Sequence, residues 1–81
     1  MQPELILYST WGCHLCEQAE QLLQGAVATC SAPAYRVVDI VDDEPAFSRY
    51  RLMIPVLTAG DKELCWPFDA NTLAKWLKEL S

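Results

Sequence analysis

The feature that most constrains this chain is a change of hydrophobic period at residue 13. Residues 4–9 hold a nearly continuous apolar run, Leu5-Ile6-Leu7-Tyr8, the pattern of a strand covered on both faces. After Thr10-Trp11-Gly12, the apolar residues Leu15, Ala19, Leu22, Leu23 and Ala26 recur at helical spacing. Glu17, Glu20, Gln21 and Gln24 occupy the other side, which predicts an amphipathic helix. Gly25 weakens its last turns, so the helix is expected to end between Gly25 and Cys30. Residues 35–41 are rich in β-branched side chains and read as a second buried strand. Two strands joined by a helix must run parallel, and the crossover should be right-handed.

The remainder continues in the same style. Asp42 or Asp43 can cap a short helix with Pro45 in its first turn, on which Phe47 and Tyr50 are expected to face inward. Residues 54–58 read as a third strand, Ala59-Gly60-Asp61 as a tight turn and residues 62–65 as a fourth strand. Asp69 caps a last helix, where Leu73, Trp76, Leu77 and Leu80 repeat at i, i+3, i+4 and i+7. The order is β-α-β-α-β-β-α: an α/β chain with a four-stranded mixed sheet and helices on both faces. At 81 residues it is expected to form one domain, 1–81. With 52% hydrophobic and 21% charged residues, a packed core is expected and disorder is not.

The chemistry concentrates at Cys13-His14-Leu15-Cys16. A Cys-x-x-Cys pair that directly follows a strand and opens a helix reads as a redox motif. The thiolate is the nucleophile. At a helix start, Cys13 meets unpaired backbone N–H groups and the positive end of the helix dipole, which both favour the anion. Its pKa should therefore fall below the ~8.5 of a free thiol. Cys16 lies one turn on and shares a face with Ala19 and Leu23, which points it toward the core. Cys13 is thus expected to attack a substrate disulfide, and Cys16 to resolve the mixed disulfide.

Other readings of these residues stand beside this one. Two buried structural cysteines would occupy the same spacing. A structural zinc needs four ligands, and the pair supplies two. Cys30 on a continuing helix would sit about 25 Å from Cys13 at ~1.5 Å per residue, which leaves Cys65 as the third donor to consider. Cys30 and Cys65 are otherwise read as small hydrophobes. No metal site is expected. His14 either supports the Cys13 thiolate or is an exposed histidine that shields the helix start. Gly12 is expected to let backbone pass close to the sulfur. Trp11 belongs either to a substrate surface or to an aromatic wedge over the sheet edge. Pro55 reads as a strand-start proline. The remaining aromatics read as core or rim, and Asp42, Asp43 and Glu44 as a solvated helix start.

Together, Tyr8 to Cys16, the stretch Met53-Ile54-Pro55-Val56-Leu57, the hairpin and the last helix resemble the glutaredoxin-like branch of the thioredoxin superfamily. The resemblance covers nearly the whole chain and matches the small bacterial members in length. It implies a thioredoxin-like fold and general disulfide reductase activity. It implies that Pro55 is cis and lies beside the cysteine pair, with Ile54 lining a peptide- or thiol-binding groove. Trp11, Gly12, His14, Ile54 and Pro55 are accordingly the expected substrate-binding residues. Glutathione, a common electron donor in the family, is the candidate co-substrate, and no tightly bound cofactor is expected. The sequence also departs from the family. Glutaredoxins typically carry Cys-Pro-Tyr-Cys, a Lys or Arg where Thr10 stands, and a Gly-Gly turn where Leu64 to Asp69 stand. Asp69 lies roughly where the family has an acidic residue that meets the glutathione amine.

Charge and composition narrow the partners. With a net charge of −5 and only six Lys and Arg, nucleic-acid binding is disfavoured. No apolar run approaches the ~20 residues that span a bilayer. The first residues, Met1-Gln2-Pro3-Glu4, lack a basic n-region, so no signal peptide and a cytoplasmic location are expected. Three functions follow: an oxidoreductase acting on protein or low-molecular-weight disulfides, a redox-sensing or metal-carrying module using the same pair without turnover, and an interaction domain with vestigial thiols. The first is the leading reading, with a monomer as the working form and glutathione or a reductase as partner.

Overall fold

The computed structural model describes residues 4–29 and 34–80. Cys30 and the Ser31-Ala32-Pro33 punctuation lie outside the described residues. The elements follow the expected order: β1 Leu5–Ser9, α1 His14–Ala28, β2 Tyr35–Asp39, α2 Glu44–Tyr50, β3 Val56–Ala59, β4 Lys62–Cys65 and α3 Ala70–Glu79, with a tight helical turn at Ile40–Asp42. The sheet order is β2-β1-β3-β4. β1 runs parallel to β2, with Leu7 opposite Val37, and antiparallel to β3, with Leu7 opposite Leu57 and Tyr8 opposite Val56. β3 and β4 form the antiparallel hairpin, closed at Gly60, which adopts φ +64°.

The pleat sorts the core into two clusters, one on each face. Leu5, Leu7, Leu57 and Ala59 pack against Ala19 and Leu23 of α1 and Leu73 and Leu77 of α3. Val56 packs with Ile40, Ala46 and Tyr50 on the opposite face, joined by Tyr8 and Ile54. Helices therefore cover both faces, as the sequence predicts.

Three helix starts are set by local chemistry. Asp43 Oδ1 accepts from Ala46 N at 3.1 Å and Asp69 Oδ1 from Thr72 N at 2.7 Å. Each satisfies a backbone donor that the helix start leaves open. At α1 the cap is Cys13 itself, whose Sγ accepts from Cys16 N at 3.1 Å.

Several expectations are corrected. β2 is an edge strand and not a buried one: its central residues are exposed, Val37 among them. The strand also stops at Asp39, because its Oδ1 accepts from Val41 N at 3.0 Å and turns the chain into the Ile40–Asp42 turn. β3 begins at Val56 and not at residue 54, since Pro55 has no N–H and Ile54 N donates to Tyr50 O at 3.0 Å. Phe47 is exposed while Tyr50 is buried: with only seven residues, α2 turns a narrow stripe to the sheet. Cys65 is exposed on edge strand β4 and is not a packed small hydrophobe.

Leu57 has no exposed surface and sits between α1 and α3. Truncation to Ala should lower the unfolding free energy by roughly 2–5 kcal/mol. Val37→Thr on the exposed edge should stay within about 0.5 kcal/mol. Urea unfolding followed by circular dichroism gives both values.

Candidate active site

The β1 register on its neighbours decides what meets at one end of the sheet. β1 and β2 end together at Ser9 and Asp39, and β3 starts opposite Tyr8. The loop before α1, the turn after β2 and the segment before β3 are therefore adjacent. Cys13 and Cys16 sit at this end, with Cα atoms 5.2 Å apart and sulfurs at bonding distance, a Cα separation typical of a disulfide.

The two cysteines differ in access. Cys16 is buried, 5% exposed, on the same face of α1 as Ala19 and Leu23. Cys13 is half-buried at the N-cap, where its sulfur faces the first open N–H groups of the helix. Cys13 is thus the more accessible residue of the bonded pair. The chain reaches this geometry through a turn in which Cys13 N donates to Thr10 O at 3.3 Å.

Gly12 serves the turn through its backbone conformation. Its φ is +78°, a left-handed conformation that favours glycine. Apart from its two chain neighbours, a Cβ added there would meet nothing within 4 Å. Backbone geometry therefore requires glycine at this position. Trp11 is 93% exposed, so it is no wedge over the sheet edge. His14 is exposed and lies 3.6 Å from Glu17 through Nδ1 and Oε2. The Ile54–Pro55 bond is cis, as the resemblance implies, and Trp66–Pro67 is cis as well. Pro55 is fully buried, while Ile54 is half-buried and Met53 is exposed. Asp69 lies on the α3 cap, where the Thr72 N–H holds its carboxyl below the ordinary carboxylate range.

Sequence reasoning missed the group that fixes the segment before β3. The carbonyl of Tyr50 accepts from Met53 N at 2.7 Å and Ile54 N at 3.0 Å. Its ring packs on Tyr8, with centroids 4.9 Å apart, and its hydroxyl donates to Glu63 of β4. Arg49 donates to the same carboxylate through Nε and Nη2, each at 3.3 Å. Burial pushes the Tyr50 hydroxyl up to about 12, reinforced by its bond to Glu63. The Tyr50 hydroxyl, then Arg49, hold Glu63 below its ordinary value. The sequence signal was the inward-facing Tyr50, but its partner is 13 residues away. Among the described residues, no three His, Cys, Asp or Glu side chains gather as a metal site, so Cys65 does not join the pair as a third donor.

With fold and cysteine pair in view, the class of protein is defined. Residues 4–78 match the model of the glutaredoxin-like domain, DUF836, and the chain belongs to that family, with the thioredoxin-like fold. Among solved structures it is similar to the protein XcR50 from X. campestris, at 42% identity. The X-ray structure of XcR50 gives a TM-score of 0.81 over 95% of this chain and 99% of that one. Its solution structure gives 0.80 over 96% of each. The solution structure of Ne2328 from Nitrosomonas europaea is 30% identical, with a TM-score of 0.73 over all of this chain and 94% of that one. No curated protein matches. Among the described residues, no helix is long and apolar enough to cross a membrane.

The Tyr50–Glu63 contact sets a pH signature. An unfolded Tyr50 releases its proton near 10.0, and the folded one near 12. The stabilisation is therefore complete below pH 10 and is lost as pH rises toward 12. Glu63 acts in the opposite direction: its contribution is present above its ordinary 4.5 and is lost as pH falls through its lower folded value. Tyrosinate absorbance should show a component near 12 that disappears in Tyr50→Phe and moves toward the ordinary tyrosine value in Glu63→Gln.

Proposed function

We propose that this protein is a thiol–disulfide oxidoreductase with Cys13 as nucleophile and Cys16 as resolving thiol. The observation that carries the reading is the unequal exposure of the two bonded cysteines at the opening of α1: Cys13 half-buried, Cys16 buried.

In the reduced protein, the Cys13 thiolate attacks one sulfur of a substrate disulfide. A Cys13–substrate bond forms, the substrate S–S bond breaks, and the departing sulfur leaves as a thiolate that takes a proton from water. Cys16 loses its proton and attacks Cys13 Sγ. The Cys13–Cys16 bond forms and the second substrate thiolate departs. Two electrons pass from the dithiol to the substrate. A low-molecular-weight thiol such as glutathione, or a reductase, returns the pair to the dithiol. Gly12 and the α1 N-terminus hold Cys13 in place. Trp11, His14, Ile54 and Pro55 are the substrate-binding residues of this reading. A metal-carrying role is less well supported, since the pair offers two donors where a zinc site takes four.

Thiolate absorbance and pH-dependent alkylation of the reduced protein should place the Cys13 pKa well below the ~8.5 of a free thiol. Cys13→Ser should abolish disulfide reduction. Cys16→Ser should accumulate the mixed disulfide, visible by mass spectrometry. A Cys13 that titrates like an ordinary thiol would sink this reading.

A further inference from the structure

Five of the seven exposed large apolar side chains among the described residues lie on segments that meet at the Cys13 end of the sheet: Trp11, Leu15, Val41, Leu52 and Met53. Trp11 is 93% exposed, Leu52 88% and Val41 67%. Trp11 precedes the cysteine pair and Leu15 lies between its two cysteines. Val41 follows β2, and Leu52 and Met53 precede β3. Exposed apolar side chains gathered on one end mark an interaction surface.

Charge is sorted along the same axis. The segments at that end carry Glu17, Asp39, Asp42, Asp43 and Glu44, with Arg51 as their cation. The other cations are elsewhere or engaged. Lys62 stands at the hairpin, where Ala59 pairs with both Leu5 and Lys62. Lys75 and Lys78 lie in the later turns of α3. Arg36 is held by Glu4 and Arg49 by Glu63. A surface of one sign raises the local concentration of the opposite sign and repels its own. Glutathione and its disulfide are net anions, with more carboxylates than ammonium groups, and small enough to gain little from a broad apolar rim.

Resting on the oxidoreductase reading, we propose that the substrate of the Cys13–Cys16 pair is a disulfide in a basic polypeptide segment with apolar side chains beside its cysteines. The apolar rim holds the segment, and the acidic residues select its charge and turn away glutathione disulfide. The exchange is the one written above: the polypeptide disulfide is reduced to two thiols and the Cys13–Cys16 bond forms.

The test uses the reduced full chain and four oxidants: a disulfide-closed peptide with Lys and aromatic residues beside its cysteines, the same peptide with Glu for Lys, glutathione disulfide, and neutral hydroxyethyl disulfide. Rates are read by acid quench, alkylation and mass spectrometry. At low salt the Lys peptide should react about tenfold faster than the Glu peptide, and faster than glutathione disulfide. The gap should close near 1 M salt, where screening acts within ~3 Å. Neutralising Asp42 and Glu44 together, Asp42→Asn with Glu44→Gln, should narrow the Lys-to-Glu ratio several-fold. Leu52→Ser should lower both peptide rates relative to hydroxyethyl disulfide. Circular dichroism confirms that these surface variants fold. Equal rates for the two peptides, or glutathione disulfide as the fastest oxidant, would overturn the inference while active reduction of hydroxyethyl disulfide left the dithiol chemistry standing. Inertness toward all four oxidants would remove the oxidoreductase reading and this inference with it.

Discussion

The register of β1 against β3 is the constraint on which the rest depends. Leu7 faces Leu57, and both are without exposed surface. Because side chains alternate along a strand, a slip of one residue would turn Leu5 and Leu7 away from α1 and α3 and present Ile6 and Tyr8 instead. The same register puts Tyr8 opposite Val56. That pair brings the loop leading to Cys13 next to the segment that ends at Pro55. Burial of aliphatic side chains in the middle of the sheet thus fixes the approach to a sulfur at its end.

The second face of the sheet refines what the first one sets. α2 is short and cannot hold its position by its own hydrogen bonds, because helices this brief depend on packing. Tyr50 provides that packing and more. Its ring rests on Tyr8, its hydroxyl meets Glu63, and its carbonyl holds the N–H groups of Met53 and Ile54. One residue couples β1, β4 and the segment before β3. Net gains from exposed ion pairs are small, so the Arg49–Glu63 contact matters more for orienting Glu63 toward Tyr50 than for stability.

What the sequence made legible was what local chemistry decides. The changes of hydrophobic period marked the elements, and the aspartates at 42 or 43 and at 69 marked two helix starts, because a cap is chosen within three residues of its donor. The cysteine pair was legible for the same reason. Strand order was not. β2 reads as buried because Val37 and Val38 look like core residues, yet whether a strand lies inside or at the edge depends on where a distant strand inserts. β3 took the inner position beside β1 and left β2 outside. The conformation of Gly12 was not legible either: its left-handed φ is a backbone requirement that spacing does not display. Cys65 and Phe47 look apolar in sequence, but a four-residue edge strand and a seven-residue helix each bury only one narrow face. The Tyr50–Glu63 bond exists only after α2 docks across the sheet, so no window of sequence contains it.

The proposed substrate charge bears on the nucleophile itself. Two fields act on Cys13. The N-terminus of α1 favours its thiolate, whereas Glu17 and the acidic segments around the site oppose it. A basic segment that docks on this rim brings positive charge to the acidic groups and offsets their repulsion of the thiolate. Docking also excludes water, which strengthens the attraction that remains. On this reading the helix N-terminus outweighs the acidic rim in the free protein, and a basic partner favours the thiolate further. An anionic oxidant would add to the repulsion instead. Selection by charge and activation of the sulfur then have a common origin, and specificity resides in the rate of thiol exchange as much as in the strength of binding.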